Sequence, residues 1–207
     1  SGLELDEVTM SPNRVSTKTK YSQQLILQGG PEVDRLIAGD LNKAMSTIID
    51  EKAFAKILAA TGVDDQSTAG GTDTTFAASI ANAMEAAVLA AGGELAGCTY
   101  VMSPTAYKLS KTLAQVNSVS ALFENGLFNG YKPVATKHLA DETANAVGQM
   151  IFGNFNQGLM LAYFGGIDLL VDPYTAASNS QVVLHLNRYY DCAVRQAGAF
   201  SICTDLA

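Results

Sequence analysis

The sequence predicts a mixed α+β protein, with helices early in the chain and an antiparallel-leaning sheet late. Three observations predict it. Apolar residues recur at spacings of three and four along residues 31–58, and a second such stripe runs through residues 76–88. After Pro133 only strand-type segments remain.

The elements follow in order. Val15, Thr17, Thr19 and Tyr21 alternate with Ser16, Lys18 and Lys20, the period-two pattern of a half-exposed strand. Gly29-Gly30-Pro31 is expected to punctuate the chain, with Pro31 opening a helix and Glu32 and Asp34 placed where the helix dipole favours acids. Val33, Leu36, Ile37, Leu41, Ala44, Met45, Ile48, Ile49 and Phe54 then form one stripe to about Leu58. At 1.5 Å per residue that is a strut of roughly 40 Å. Residues 62–73 (GVDDQSTAGGTD) are polar and Gly-bearing, the best candidate for a boundary between sub-domains, and Asp64-Asp65 within them is expected to face solvent. Thr72 or Asp73 can cap a second helix carrying Phe76, Ile80, Ala83, Met84, Ala87 and Val88 on one face, which Gly92-Gly93 ends. A short strand over 98–102 leads into Ser103-Pro104, a cap and first-turn proline opening a helix to about Leu113. Over 115–130 the pattern dissolves into Asn, Ser and Gly around Leu122, Phe123, Leu127 and Phe128. Strands are expected at 133–136, 150–155, 159–164, 167–171, 182–190 and 199–203, with Gly165-Gly166 as a tight hairpin turn.

Composition bounds the function. The 207 residues suffice for one large core or two sub-domains, and 48% hydrophobic with 16% charged residues argues against disorder. No apolar run approaches the roughly 18 residues of a membrane span. The Ala-rich stretch 77–91 comes nearest, broken by Ser79, Asn82 and Glu85, so no membrane association is expected. No basic-then-apolar N-terminal segment suggests export. Net charge is −7 with Lys and Arg scattered, which disfavours tight direct binding of DNA and leaves room for lining a cavity that holds it. Cys98, Cys192 and Cys203 lack CxxC spacing and read as small core thiols in a reducing compartment.

Catalytic chemistry needs a nucleophile, base or metal in a tunable place, and the sequence offers no such group. His138 and His185 are not at ligand spacing with carboxylates or cysteines, so no metal site is expected. A nucleophile elbow, a Walker loop and a dinucleotide-binding glycine turn are all missing, and 69–72 (AGGT) reads as a linker rather than an anion cradle. No catalytic residue and no cofactor is assigned. Apolar residues that could need a partner remain: Phe123 and Phe128 in the irregular segment, and Tyr189-Tyr190, of which one must face outward along a strand. For both pairs a protein contact and a place in the core stand as equal readings.

Several segments carry a resemblance. Met10-Ser11-Pro12-Asn13-Arg14 leads through Ser22-Gln23-Gln24-Leu25-Ile26-Leu27 into the long helix at Pro31. Tyr100-Val101-Met102-Ser103-Pro104-Thr105-Ala106 forms a strand-to-helix turn, and Gly130-Tyr131-Lys132-Pro133-Val134 a further strand. Ile151-Phe152-Gly153-Asn154-Phe155 and Arg195-Gln196-Ala197-Gly198-Ala199-Phe200 close the series. In this order and spacing they resemble the tailed-bacteriophage major capsid protein family with the Hong Kong 97-type fold.

The resemblance implies a peripheral domain over 1–62 with a spine helix at about 31–58, and an axial domain over 63–171 with largely antiparallel sheets. It further implies a return to the peripheral domain over 172–190 and a last axial segment over 191–207. Axial domains would meet in pentamers and hexamers around DNA enclosed without sequence-specific binding, with 115–130 toward the ring axis and 173–181 near a three-fold contact. The protein would be a virion component assembled in the bacterial host cytoplasm. The candidate subunit interface is then Phe123, Phe128, Asn179, Ser180, Tyr189 and Tyr190. Family subunits also carry an N-terminal arm and an extended hairpin, the E-loop, and this chain reads as the body without them. Some members cross-link through a Lys–Asn bond promoted by a glutamate. Here Asn179 or Ser180 matches the acceptor, Asn187 stands at the glutamate position, and no self-cross-linking is expected. Two other uses are compatible with the residues: the shell of an encapsulin-like nanocompartment around an enzyme cargo, and a small-molecule enzyme whose groups converge only in three dimensions.

Overall fold

The computed structural model describes residues 8–67, 78–116, 123–124, 126–139 and 148–206. In chain order these form β1 (Asn13–Ser22), α1 (Gln23–Leu58), β2 (Asp64–Asp65), α2 (Ala78–Ala90), β3 (Thr99–Met102) and α3 (Pro104–Val116). They continue with β4 (Phe123–Glu124), β5 (Leu127–Phe128), β6 (Pro133–Ala135), β7 (Gly148–Gly153), α4 (Phe155–Gly158), β8 (Leu159–Asp172), β9 (Gln181–Val194) and β10 (Phe200–Leu206). The expected cap at Thr72 or Asp73, the residue Phe76 and Leu122 lie outside the described residues. The chain divides into two compact units, each drawn from two stretches: residues 1–52 with 161–193, and residues 53–160 with 194–207.

The first unit holds a three-stranded sheet in the order β1-β9-β8. β1 and β9 are antiparallel, in register from Asn13 opposite Tyr190 to Ser22 opposite Gln181. Val15 and Thr17 of β1 are buried where the alternation requires, with Ser16, Lys18 and Lys20 exposed. α1 follows β1 without a linker and begins eight residues before the expected start. Ser22 supplies the reason: its hydroxyl oxygen accepts the Leu25 N–H at 3.2 Å, a cap for one of the orphan donors of the first turn. The backbone helix runs through Gly29-Gly30-Pro31, which does not end it, although Pro31 has no N–H to donate. Its 36 residues span about 54 Å. Leu41, Met45 and Ile49 are its buried stripe in this unit.

β8 corrects a second expectation. Residues 159–172 form one strand rather than a hairpin turning at Gly165-Gly166. β9 lies beside it in the sheet, and Gly165 takes its positive φ of 77° within the strand instead of reversing it.

The second unit holds a five-stranded sheet in the order β2-β10-β7-β3-β6. β7 is antiparallel to β10 and to β3, while β2 and β6 join in parallel, so this sheet is mixed rather than largely antiparallel. Its central strands are apolar at consecutive positions because both faces are covered. Tyr100, Met102, Met150, Phe152 and Cys203 pack with Ala81, Met84 and Val88 of α2 on one side. Val101, Ile151 and Ile202 pack with Ile57 and Leu139 on the other. α2 ends in paired bonds from Gly93 N–H to Val88 C=O (2.9 Å) and from Gly92 N–H to Leu89 C=O (3.0 Å), with Gly92 left-handed at φ 80°. Ser103 caps α3, accepting the Ala106 N–H at 3.3 Å. The expectation for Asp64-Asp65 is half met: Asp65 is exposed, whereas β2 pairs with β10 and Asp64 accepts hydrogen bonds from Ser201 Oγ (2.9 Å) and Gln66 Nε2 (2.6 Å). The carboxylate is held there because it satisfies the otherwise unpaired hydroxyl of Ser201, a residue with no exposed surface.

Candidate assembly surface

A contact surface requires apolar or charged groups that the fold leaves outside. β8 supplies the apolar ones. Leu161, Tyr163, Ile167, Leu169, Leu170 and Val171 are exposed by 41–56%. Ile167, Leu169 and Val171 line a cavity of about 370 Å³ together with Ile37 and Leu41 of α1 and Leu184 and Leu186 of β9. Arg188 of β9 lays its guanidinium 3.5 Å from the centre of the Tyr163 ring, a cation–π contact that fixes the ring on the sheet.

The turn between β8 and β9 is built by Asp172. Its carboxylate accepts the N–H groups of Tyr174 (2.8 Å) and Thr175 (3.1 Å) and the Thr175 hydroxyl. The Thr175 hydroxyl first, then these two amides, hold the Asp172 carboxyl below the usual carboxylate range. Tyr174 beside it is 85% exposed. A short 3-10 turn, Ala177–Asn179, follows, and Ser180 closes it in the left-handed region at φ 51°.

The six residues expected at an interface divide. Asn179 and Ser180 are exposed at this turn. Tyr189 is 47% exposed and Tyr190 only 7%, the outward and inward positions of one strand. Burial, with the nearby Cys192 and Asp191, raises the Tyr190 phenol. Phe128 is wholly buried, 4.8 Å from Tyr100 ring to ring, and Phe123 packs on Tyr107 at 5.7 Å. Of the two readings left equal for this pair, a protein contact and a place in the core, the described fold puts Phe128 in the core and Phe123 half-buried against it. The β4–β5 pairing sets Phe123 directly opposite Phe128, so an irregular segment buries the Phe128 ring against β3 and leaves Phe123 half-buried beside α3.

Sequence reasoning missed β8 as exposed surface. Its signal was present: residues 159–164 and 167–171 are apolar at nearly every position, which suits a strand covered on both faces, and the fold of one chain covers neither fully.

Among the described residues no three His, Cys, Asp or Glu side chains are grouped to hold a metal, and no helix is long and apolar enough to cross a membrane. Cys98, Cys192 and Cys203 are buried thiols outside any disulfide. Burial pushes the Cys203 thiol up to about 12, which suppresses the reactive thiolate.

The chain matches the Phage capsid family over residues 1–205. It is 25% identical, over 98% of its length, to a major capsid protein of Halomonas phage phiHAP-1, and it spans 33% of that relative. Among solved structures it is similar to the capsid of a native GTA particle computed with C5 symmetry, at TM-score 0.69 and 20% identity, over 98% of this chain and 75% of the other. A virus-like particle from Pyrococcus furiosus follows at TM-score 0.63 and 14% identity, over 94% and 76%. Mycobacterium phage Che8 matches at TM-score 0.64 and 12% identity, over 92% and 70%. These likenesses establish the mixed α+β capsid-type fold. With a family match that spans nearly every residue, the chain belongs to the phage capsid family.

Proposed function

We propose that this chain is the body of a structural subunit of an icosahedral phage capsid, built on the Hong Kong 97-type plan. The observation that carries the reading is the family match over residues 1–205. The division into two units, each drawn from two stretches of chain, supports it. In this reading the unit made of residues 1–52 and 161–193 is the peripheral domain, with the 36-residue α1 as its spine helix, and the other unit is the axial domain. Asn179, Ser180 and Tyr189 are exposed and serve as subunit contacts at the β8–β9 turn and on β9. Phe128 acts from within, as the core of the segment that faces a ring axis.

The role is structural and non-enzymatic. Subunits would join as pentamers and hexamers and enclose DNA in a virion, without sequence-specific contacts and without a membrane. The acidic net charge of −7 suits a wall that DNA lies against rather than one that grips it. Family membership favours this use over a nanocompartment shell or an enzyme.

The test is assembly of the complete protein that contains this chain, expressed alone and with its phage partners and imaged by electron microscopy. Rings or closed shells are expected. A uniformly monomeric protein under both conditions would overturn the proposal.

A further inference from the structure

The sheet β1-β9-β8 has two outer edges of opposite character. β1 presents Arg14, Ser16, Lys18 and Lys20 to solvent on one face, and lysine on an edge strand is a common guard against unwanted pairing. β8 has no such guard. It is 14 residues long, its apolar side chains are exposed, and no described strand pairs with it on the side away from β9. A long bare apolar edge is a template for another strand.

We propose that β8 takes β1 of a second copy of the chain as its next strand. This rests on the self-association of the proposed shell subunit and names the surfaces it uses.

The faces of the two strands agree. Ile167, Leu169 and Val171 line the same cavity as Leu184 and Leu186, and those two leucines stand opposite Thr19 and Thr17 of β1. The odd-numbered residues of both edge strands therefore lie on the face toward α1. Asp168, Leu170 and Asp172 lie on the other face, as do Arg14, Ser16, Lys18 and Lys20. Continuing the sheet from β8 of one copy into β1 of the next sets β-branched residues beside branched aliphatics and carboxylates beside cations. Cross-strand pairs of these kinds stabilise a sheet. β1 would lie along about 33 Å of an edge that runs about 46 Å.

Charge also selects against the symmetric alternatives. Pairing β8 with β8 would set Asp168 and Asp172 beside their own kind, and pairing β1 with β1 would oppose Arg14, Lys18 and Lys20. Away from β1 the chain is a poor source of cations: three of its 13 stand on this face, leaving ten against 20 carboxylates. The favoured contact is thus heterologous, edge to opposite edge. Repeated with a rotation that closes, such a contact makes a ring.

The experiment compares the complete shell-forming protein with Lys18→Asp, Asp168→Lys and the double exchange, reading the assembled fraction by sedimentation and electron microscopy. Both residues are exposed, and thermal unfolding of each variant verifies that its fold is kept. Each single reversal is expected to weaken assembly about tenfold or more, because like charges then face each other. The double exchange is expected to restore it. Single variants that assemble like the wild type would overturn the pairing, as would a double exchange no better than the worse single. A wild type that never assembles would instead overturn the shell reading itself.

Discussion

Tyr100 donates its phenolic hydrogen to Oε1 of Glu85 at 2.7 Å, and the same oxygen accepts Asn129 Nδ2 at 2.5 Å. Tyr100 is fully buried and Asn129 stands in the left-handed region at φ 48°. One carboxylate on α2 thus joins the central strand β3 to the turn beyond β5, and Asn129 is held in a conformation that asparagine tolerates better than most residues.

Tyr100→Phe keeps the ring contacts with Phe128 (4.8 Å) and Phe152 (4.4 Å) and removes only the donor. A half-buried carboxylate short of one partner costs about 1–3 kcal/mol. Tyr100→Ala, which also opens a cavity, costs about 3–5 kcal/mol. Denaturant unfolding at neutral pH measures both, and equal losses would show that the hydroxyl, not the ring, sets the contribution.

Alkaline pH is expected to unfold the protein. Burial first, then Glu85, raises the Tyr100 phenol, burial raises Tyr131 and Tyr190, and Cys203 moves up to about 12. The folded state holds these protons more tightly than the unfolded chain does. The contribution is therefore complete below the unfolded values, near 9 for the thiol and 10 for the phenols, and is lost as pH rises beyond them. Tyrosinate absorbance should rise together with loss of structure, in one cooperative step. Early, non-cooperative titration of the buried phenols would contradict this.

Gly158 allows the Phe200 ring to close on the chain. A Cβ at this position would stand 2.3 Å from Phe200 Cε2 and 3.0 Å from the Ala199 Cβ, and the ring is itself held 5.3 Å from Phe155. Gly158→Ala is expected to destabilise by about 1–3 kcal/mol through overpacking. Gly165→Ala meets no atom within 4 Å, but its φ of 77° makes it costly by about 1–2 kcal/mol. Thermal melts distinguish them from Gly39→Ala, which has open space and ordinary helical φ and should stabilise slightly.

Asp172→Ala should loosen the β8–β9 turn without unfolding the sheet. The mutation removes the acceptor for Tyr174, Thr175 and the Thr175 hydroxyl. Hydrogen exchange at the Tyr174 and Thr175 amides should quicken while β1 and β9 amides keep their protection. Because the carboxyl is held below its ordinary value of 3.8, the turn of the unmodified protein should keep its order above that pH and lose it as pH falls further.

What the sequence by itself determined is the set of local elements whose signals are carried by neighbouring residues. The alternation of Val15, Thr17, Thr19 and Tyr21 specified β1, Gly92-Gly93 ended α2, and Ser103-Pro104 opened α3, while of the stripe read along α1 Leu41, Met45 and Ile49 are buried and Leu36 and Ala44 are exposed. One further matter was local but invisible to periodicity, a cap three residues from its partner, and two were decided by the tertiary structure, through a neighbouring strand and a packed helix. Helix capping by Ser22 outweighed Gly29-Gly30-Pro31. Residues 159–172 run as one strand beside β9. Pairing with Phe128 and packing on Tyr107 took Phe123 inward. Periodicity reports which side chains are apolar, whereas burial depends on what another segment brings against them, and among the described residues β8 is left largely exposed.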